Sequence, residues 1–376
     1  MSRRAGLARA QRWGALLLAG LCAATSGLAG AAAYEVTPEV ARGRLGVPVH
    51  LNGIGPYPFL LDAAISRPVI DSTVATYAGL ENLGALGTDA ARTAVSRFQY
   101  GGLPAHEERA AVMDLSGLGM QLGRPVAGLL PAWRPGLELE VLAAVPKVIW
   151  RELGSNTLEE AGGAVVRLTL ESGGLPTVPV YVNGKPAGAL AIDFQYGGVA
   201  VLPREAFGLE GQSGLIRIDQ GHGAASSLAR VEEVRVGLAA LLQPVCQIAQ
   251  DGEQPRLGMG FFRHCAVRLN FEYGLARFEN ADGTPEAEDF TGCGLLPLRQ
   301  EDGFWRLGVV EQSPAALAGA EAGDQLISVD RESLEGAPYE LALSLLNEGS
   351  HERIVRLHRP RTGAFFDLSL APTELL

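Results

Sequence analysis

The chain has little of what binds metals or serves as a nucleophile. Four cysteines and six histidines are spread through 376 residues, and none of them falls at metal-ligand spacing. The serines show no strand-to-helix elbow of the kind that exposes a nucleophilic hydroxyl. Positive charge is also scarce. Thirty-one Lys and Arg stand against 42 Asp and Glu, a formal net charge of −11, which leaves no electrostatic basis for gripping nucleic acid or an anionic membrane. The one marked apolar run near the start, Trp13 to Leu21, is too short to span a bilayer comfortably. No nucleotide, metal or other cofactor is implied.

Residues 1–33 read as a cleavable export signal. Arg3, Arg4, Arg9 and Arg12 make a basic start, the apolar run follows, and Ala31-Ala32-Ala33 supplies small residues before Tyr34. Losing this segment removes four arginines and no acid, taking the net charge from −11 to −15. The expected location is periplasmic or secreted. Three cysteines then remain, and Cys246 and Cys265 flank a turn-containing segment and are candidates to pair in an oxidising compartment, leaving Cys293 over.

The whole chain is 47% apolar and 19% charged, with 48 glycines, the profile of an ordered, turn-rich globular protein. One stretch organises it. Val47, Val49 and Leu51 alternate, Asn52-Gly53 turns the chain, and Phe59-Leu60-Leu61 runs directly into Asp62. A carboxylate placed after three apolar residues must be paired, hydrogen-bonded or neutralised. The pattern then returns: Val178-Pro179-Val180-Tyr181-Val182-Asn183-Gly184 follows Val47-Pro48-Val49-His50-Leu51-Asn52-Gly53, and Leu190-Ala191-Ile192-Asp193 follows the run into Asp62. An internal repeat of this length implies two related units, each offering one carboxylate.

The strand pair ending on an Asp, followed by a small-residue turn, resembles the catalytic turn of bacterial retropepsin-like aspartic proteases. The resemblance covers residues 41–280 and implies a mainly β fold of two pseudo-symmetric β-barrel lobes, at 41–150 and 163–280. Residues 131–162, with Pro131, Pro135 and Pro146, read as a connector between them. In such proteins an apolar strand with one glycine crosses beneath the Asp turn, where backbones pass closely. Val126-Ala127-Gly128-Leu129-Leu130 matches it in the first unit, and Leu257-Gly258-Met259-Gly260-Phe261-Phe262 matches the closing pattern of the second.

A third unit, 290–372, follows the acidic stretch Asp282 to Asp289. Ser313-Pro314-Ala315-Ala316-Leu317-Ala318-Gly319 and Ala322-Gly323-Asp324-Gln325-Leu326-Ile327 resemble a bacterial PDZ domain. Ser313 is suited to cap a helix that starts on Pro314. The resemblance implies a groove for a peptide strand or chain terminus, with Gly294, Leu295 and Leu296 at its amide nest and Leu343 on the helix beside it.

The chemistry implied by the first resemblance is a dyad, Asp62 and Asp193, in which one carboxylate acts as base toward water and the other as acid. The family places Thr or Ser and then Gly after each Asp, and the hydroxyl locks the two turns together. Here the sequence reads Asp62-Ala63-Ala64 and Asp193-Phe194-Gln195. Two functions therefore stand open. The protein either binds peptide or protein chains with lost or weak proteolysis, or it is an active aspartic endopeptidase working through Asp62 and Asp193.

Overall fold

The computed structural model describes residues 32–41, 43–80, 91–122, 124–153, 164–170, 174–207, 215–219, 225–280, 283–287, 291–299, 304–337, 339–347 and 351–375. The signal-like segment, apart from its last two residues, lies outside them, as does the stretch Gly221-His222-Gly223. The protein is mainly β.

The first barrel is built from the Asp62 stretch outward. The strands Arg44–Leu51 and Ile54–Asp62 form an antiparallel hairpin. Its turn residues, Asn52 at φ 53° and Gly53 at φ 85°, occupy the left-handed region that Asn and Gly tolerate best. The Asn52 N–H donates to Arg97 O (2.9 Å), and its side-chain oxygen accepts from the Arg97 N–H (3.1 Å). The sheet then runs through Gly128–Pro131, Val69–Asp71, His106–Met113 and Ala91–Tyr100, and the last strand returns to pair with Arg44–Leu51. That closure makes a six-stranded barrel, which leaves no free edge among its members.

Gly128–Pro131 lies parallel to Phe59–Asp62 on one side and antiparallel to Val69–Ile70 on the other. A Cβ on Gly128 would stand 2.3 Å from Phe59 Cε1 and 2.5 Å from Val69 O, so the close backbone approach expected at this glycine is present.

The second lobe is arranged likewise around Thr177–Val182 and Lys185–Ile192. Asn183 (φ 51°) and Gly184 (φ 73°) make the turn; the Asn183 N–H donates to Glu233 O (3.0 Å), and its side chain accepts from the Glu233 N–H (3.0 Å). Arg256–Leu257 threads between Ala191–Ile192, in parallel, and Ala200–Val201, antiparallel. The sheet continues outward through Val245–Ile248, Ala225–Arg230 and Leu215–Asp219.

Residues 131–162 are more than a connector. They contain the strands Leu137–Leu142 and Lys147–Glu152, which join Ala33–Val36, Ala266–Asn270, Leu275–Glu279 and Val165–Arg167 in a six-stranded sheet drawn from both lobes. Glu138 and Glu140 disguise the first strand, and both are paired. Arg268 Nε donates to Glu138 (2.9 Å) and Arg151 Nε to Glu140 (2.9 Å), the condition under which sheet carboxylates are tolerated. One continuous apolar core runs from Val36 to Phe278 through both lobes and this sheet.

A separate core, from Cys293 to Leu370, centres on Trp305, Leu307 and Leu357. Its strands are Leu295–Arg299, Trp305–Val310, Gln325–Val329, Arg353–Arg359 and Ala364–Leu370, with a helix at Tyr339–Asn347. Ser313 caps the short helix Pro314–Leu317 by accepting the Ala316 N–H (3.3 Å).

The expected pairing of Cys246 with Cys265 is not formed. Cys246, Cys265 and Cys293 are all free thiols and all buried. Cys246 faces the core from the strand Val245–Ile248, and Cys265 follows the helix Met259–Phe262 with its sulfur toward Phe261 O. Burial pushes all three thiols above their ordinary value.

Candidate functional site

Each carboxylate sits at or just after the end of the second strand of its hairpin. Asp62 is the last residue of Ile54–Asp62, and its carbonyl accepts the Ala132 N–H (2.7 Å) from the end of the crossing strand. Asp193 follows Lys185–Ile192, and its N–H donates to Leu257 O (2.9 Å) on the crossing strand of the second lobe. Each carboxylate accepts the N–H two residues on: Ala64 N to Asp62 Oδ1 at 2.7 Å, and Gln195 N to Asp193 Oδ1 at 2.8 Å. Ala64 and Gln195 thus provide the turn amides although neither is the expected glycine.

The two turns meet through Gln195. Its side-chain amide Nε2 donates to Leu61 O at 2.6 Å, the carbonyl just before Asp62. In return Arg44 Nε, from the first barrel, donates to Gln195 O at 2.6 Å. The role expected of a Thr or Ser hydroxyl is therefore taken by a longer amide one position further on. Ala63 and Phe194, which stand at the hydroxyl positions, pack instead. Ala63 lies against the core, and Phe194 is fully buried with its ring 5.4 Å from that of Phe262.

Asp62 is 8% exposed. Burial holds its carboxyl above the usual carboxylate range; the Ala64 N–H opposes that rise and the charge of Asp193 adds to it. Asp193 has a cation beside it. Arg256 Nε lies 3.8 Å from Asp193 Oδ2, while its Nη2 bonds Glu253 Oε1 at 2.6 Å and its guanidinium stands 5.1 Å from the centre of the Tyr196 ring. Burial raises the Tyr196 phenol well above its ordinary value, and its hydroxyl is 3.4 Å from Gln247 Oε1.

Gly198 fits this packing. A Cβ on Gly198 would meet the Tyr196 hydroxyl at 2.5 Å, and one on Gly258 would meet Gly198 O at 2.4 Å. Gly198 and Gly258 make room for Tyr196.

Of the residues expected at a peptide groove in the C-terminal unit, Gly294 has φ +83°, with Ser313 side-chain atoms 2.1 Å from where a Cβ would stand. Leu295 is in the core of that unit, and its strand lies against the helix Tyr339–Asn347 that carries Leu343. Leu343 is half-buried. Leu296 points elsewhere, into a small cluster with Ile218, Val310, Leu228 and Leu375.

Trp150 is fully buried, whereas Trp133 and Tyr181 are exposed. Among the described residues no group of three or more His, Cys, Asp or Glu is placed to hold a metal. His106 belongs to a cluster with Arg134 (2.7 Å) and Glu108 (3.3 Å). A cavity of about 640 Å³ lies on the flank of the first barrel, bounded by Tyr57, Val74, Tyr77, Met120 and Arg124, and neither Asp62 nor Asp193 lines it. Gln195, Arg256 and Arg44 are the site residues that sequence reasoning did not assign. Gln195 stood out in the sequence only as a departure from glycine.

No family model matches the chain, and no curated protein matches it. Among solved structures it is similar to basic 7S globulin from soybean, at 13% identity and a TM-score of 0.40, across 66% of this chain and 95% of that one.

Proposed function

We propose that this is an exported, aspartic-protease-like protein whose two lobes are copies of one unit, whose inter-lobe cleft binds peptide or protein chains, and whose proteolysis is lost or weak. In this reading the C-terminal unit is a PDZ domain that recruits the partner chain. The observation that carries it is Arg256, 3.8 Å from Asp193. A working dyad is two carboxylates sharing one proton, and here Asp193 has a guanidinium to face as well. The apolar Ala63 and Phe194 support the same reading, because neither supplies the expected hydroxyl, and the Gln195 bond that joins the turns in its place goes through a longer side chain to a backbone carbonyl. The basic, apolar and small-residue succession in residues 1–33 supports export.

An active endopeptidase using Asp62 and Asp193 is the second reading. It is favoured by Gln195, whose bond to Leu61 O keeps the two turns together, and by the raised pKa of Asp62.

The test is cleavage and binding of a degenerate peptide library across roughly pH 3 to 7, the range in which carboxylates titrate, with the wild type and an Asp62→Asn, Asp193→Asn double variant. Binding by both without cleavage is the expected result. Cleavage by the wild type alone would establish the endopeptidase.

A further inference from the structure

The C-terminal unit is fastened to both lobes. On the side of the second lobe the strand Leu215–Asp219 adds to Trp305–Val310: Ile218 stands opposite Val310, Asp219 opposite Val309, and the Glu311 N–H donates to Arg217 O at 2.9 Å. Ile218 and Val310 are buried in this seam, with Leu228, Leu296 and Leu375 packed around them. On the other side the helix Ser116–Leu122 of the first barrel packs against Leu295–Arg299.

Each attachment connects to a carboxylate turn, the helix through one shared cluster and the strand seam through intervening strands and side chains. Leu118 and Leu122 of the helix pack with Leu60 and Ile65, which bracket Asp62. In the second lobe the strand Ala225–Arg230, partner of Leu215–Asp219, lies beside Val245–Ile248. Gln247 of that strand reaches the hydroxyl of Tyr196, whose ring carries Arg256.

We propose that the C-terminal unit is a strap across the two lobes, which holds the Asp62 and Asp193 turns at a fixed separation and must release one attachment for a chain to enter between them. The entering ligand class rests on the peptide-cleft reading above; the strap itself does not. The apolar seam is the side that gives way. It is small, whereas the helix shares its buried cluster with the Asp62 loop. Packed elements that join two sites in this way carry coupling between them.

The test uses the full chain carrying Ile218→Cys and Val310→Cys, together with a separate Leu228→Glu variant. Register partners on antiparallel strands lie about 4.5–5.5 Å apart at Cα, within disulfide reach, so oxidation locks the seam and reduction frees it in the same folded protein. Amide hydrogen exchange is read at the distant helix Ser116–Leu122, and association of a dye-labelled degenerate peptide library is read in parallel. Oxidation is expected to slow exchange in that helix and to lower the association rate by about tenfold, within the span seen among variants of one interface. Reduction restores both, and Leu228→Glu moves both the other way. Exchange at Ser116–Leu122 that ignores both changes would overturn the strap. Exchange that responds while no peptide associates in any form would keep the strap and discard the peptide-cleft reading.

Discussion

Gln195 Nε2 donates to Leu61 O across 2.6 Å, joining residues 134 positions apart at the point where the two lobes meet. The bond does not stand alone, because Arg44 Nε donates to Gln195 O at the same distance. A Gln195→Ala variant loses the side-chain bond but keeps the backbone one. It also removes Gln195 Oε1, a buried acceptor with no partner among the described residues, which softens the loss. The expected change is a fall of about 1 kcal/mol in unfolding free energy, measured by urea denaturation. Gln195→Glu is expected to cost more at neutral pH, since it presents a carboxylate to Leu61 O where an amide donated. Equal stability of all three proteins would show that the side-chain bond to Leu61 O adds nothing to what packing and the Arg44 bond supply.

Asp62 predicts a pH dependence of fixed sign. Its folded-state pKa is raised by burial, against the Ala64 N–H and with the charge of Asp193. Between its ordinary value of 3.8 and that raised value the folded protein binds more protons than the unfolded chain, so stability falls as pH rises through this window. Asp62→Asn removes the ionisation and can still accept the Ala64 N–H. The variant is therefore expected to melt above the wild type at pH 7, with the gap closing as the pH is lowered to the ordinary carboxylate range. A gap that widens in acid would mean that Asp62 is stabilised, not strained, by its surroundings.

Much of this arrangement was legible from residue order, and the parts that were not share a cause. Phe59-Leu60-Leu61-Asp62 and Ala191-Ile192-Asp193 announce strands that end on acids, and the two Asn-Gly turns announce hairpins, because both signals are local. Gly128 is readable for the same reason. The strand Leu137–Leu142 was hidden by Glu138 and Glu140, which become acceptable only beside Arg268 and Arg151. Gln195 and Arg256 act through long side chains on partners set by tertiary packing, so no spacing rule reaches them. The cysteines mislead in the opposite direction: Cys246 and Cys265 are close in sequence, yet each belongs to a different packed element and each sulfur is buried on its own.

Gly128 permits the crossing strand to pass under the Asp62 turn. A Cβ there would lie 2.3 Å from the ring of Phe59 and 2.5 Å from Val69 O. The ring belongs to a fully buried side chain and the oxygen to the backbone, so neither yields cheaply. Gly128→Ala is expected to destabilise by about 3 kcal/mol, at the upper end of ordinary overpacking. Gly136→Ala serves as its control, because its Cβ meets nothing within 4 Å, although its φ of +73° carries a smaller strain of its own. Equilibrium denaturation of the pair decides the point: similar losses in both would mean that the sheet shifts to make room and that close approach is not what selects glycine at 128.

Arg256 separates the role of a charge from the role of a fold. It sits with Asp193, Glu253 and the Tyr196 ring, its side chain about a quarter exposed. Arg256→Gln leaves Asp193 and Glu253 without their shared cation and takes the guanidinium off the ring. The expected loss is about 2 kcal/mol near neutral pH, less than for a fully buried pair because solvent reaches the group. It shrinks in acid, where carboxylates in general protonate. Peptide cleavage is not expected to appear, because the turns are joined by the longer Gln195 side chain and not by a hydroxyl at Ala63 or Phe194, and the positions of reacting groups matter to about 1 Å. The readouts are thermal melting against pH and turnover of the peptide library. If Arg256→Gln cleaves where the wild type does not, and Asp193→Asn abolishes that cleavage, then the turns are already aligned by Gln195 and the guanidinium alone silences them.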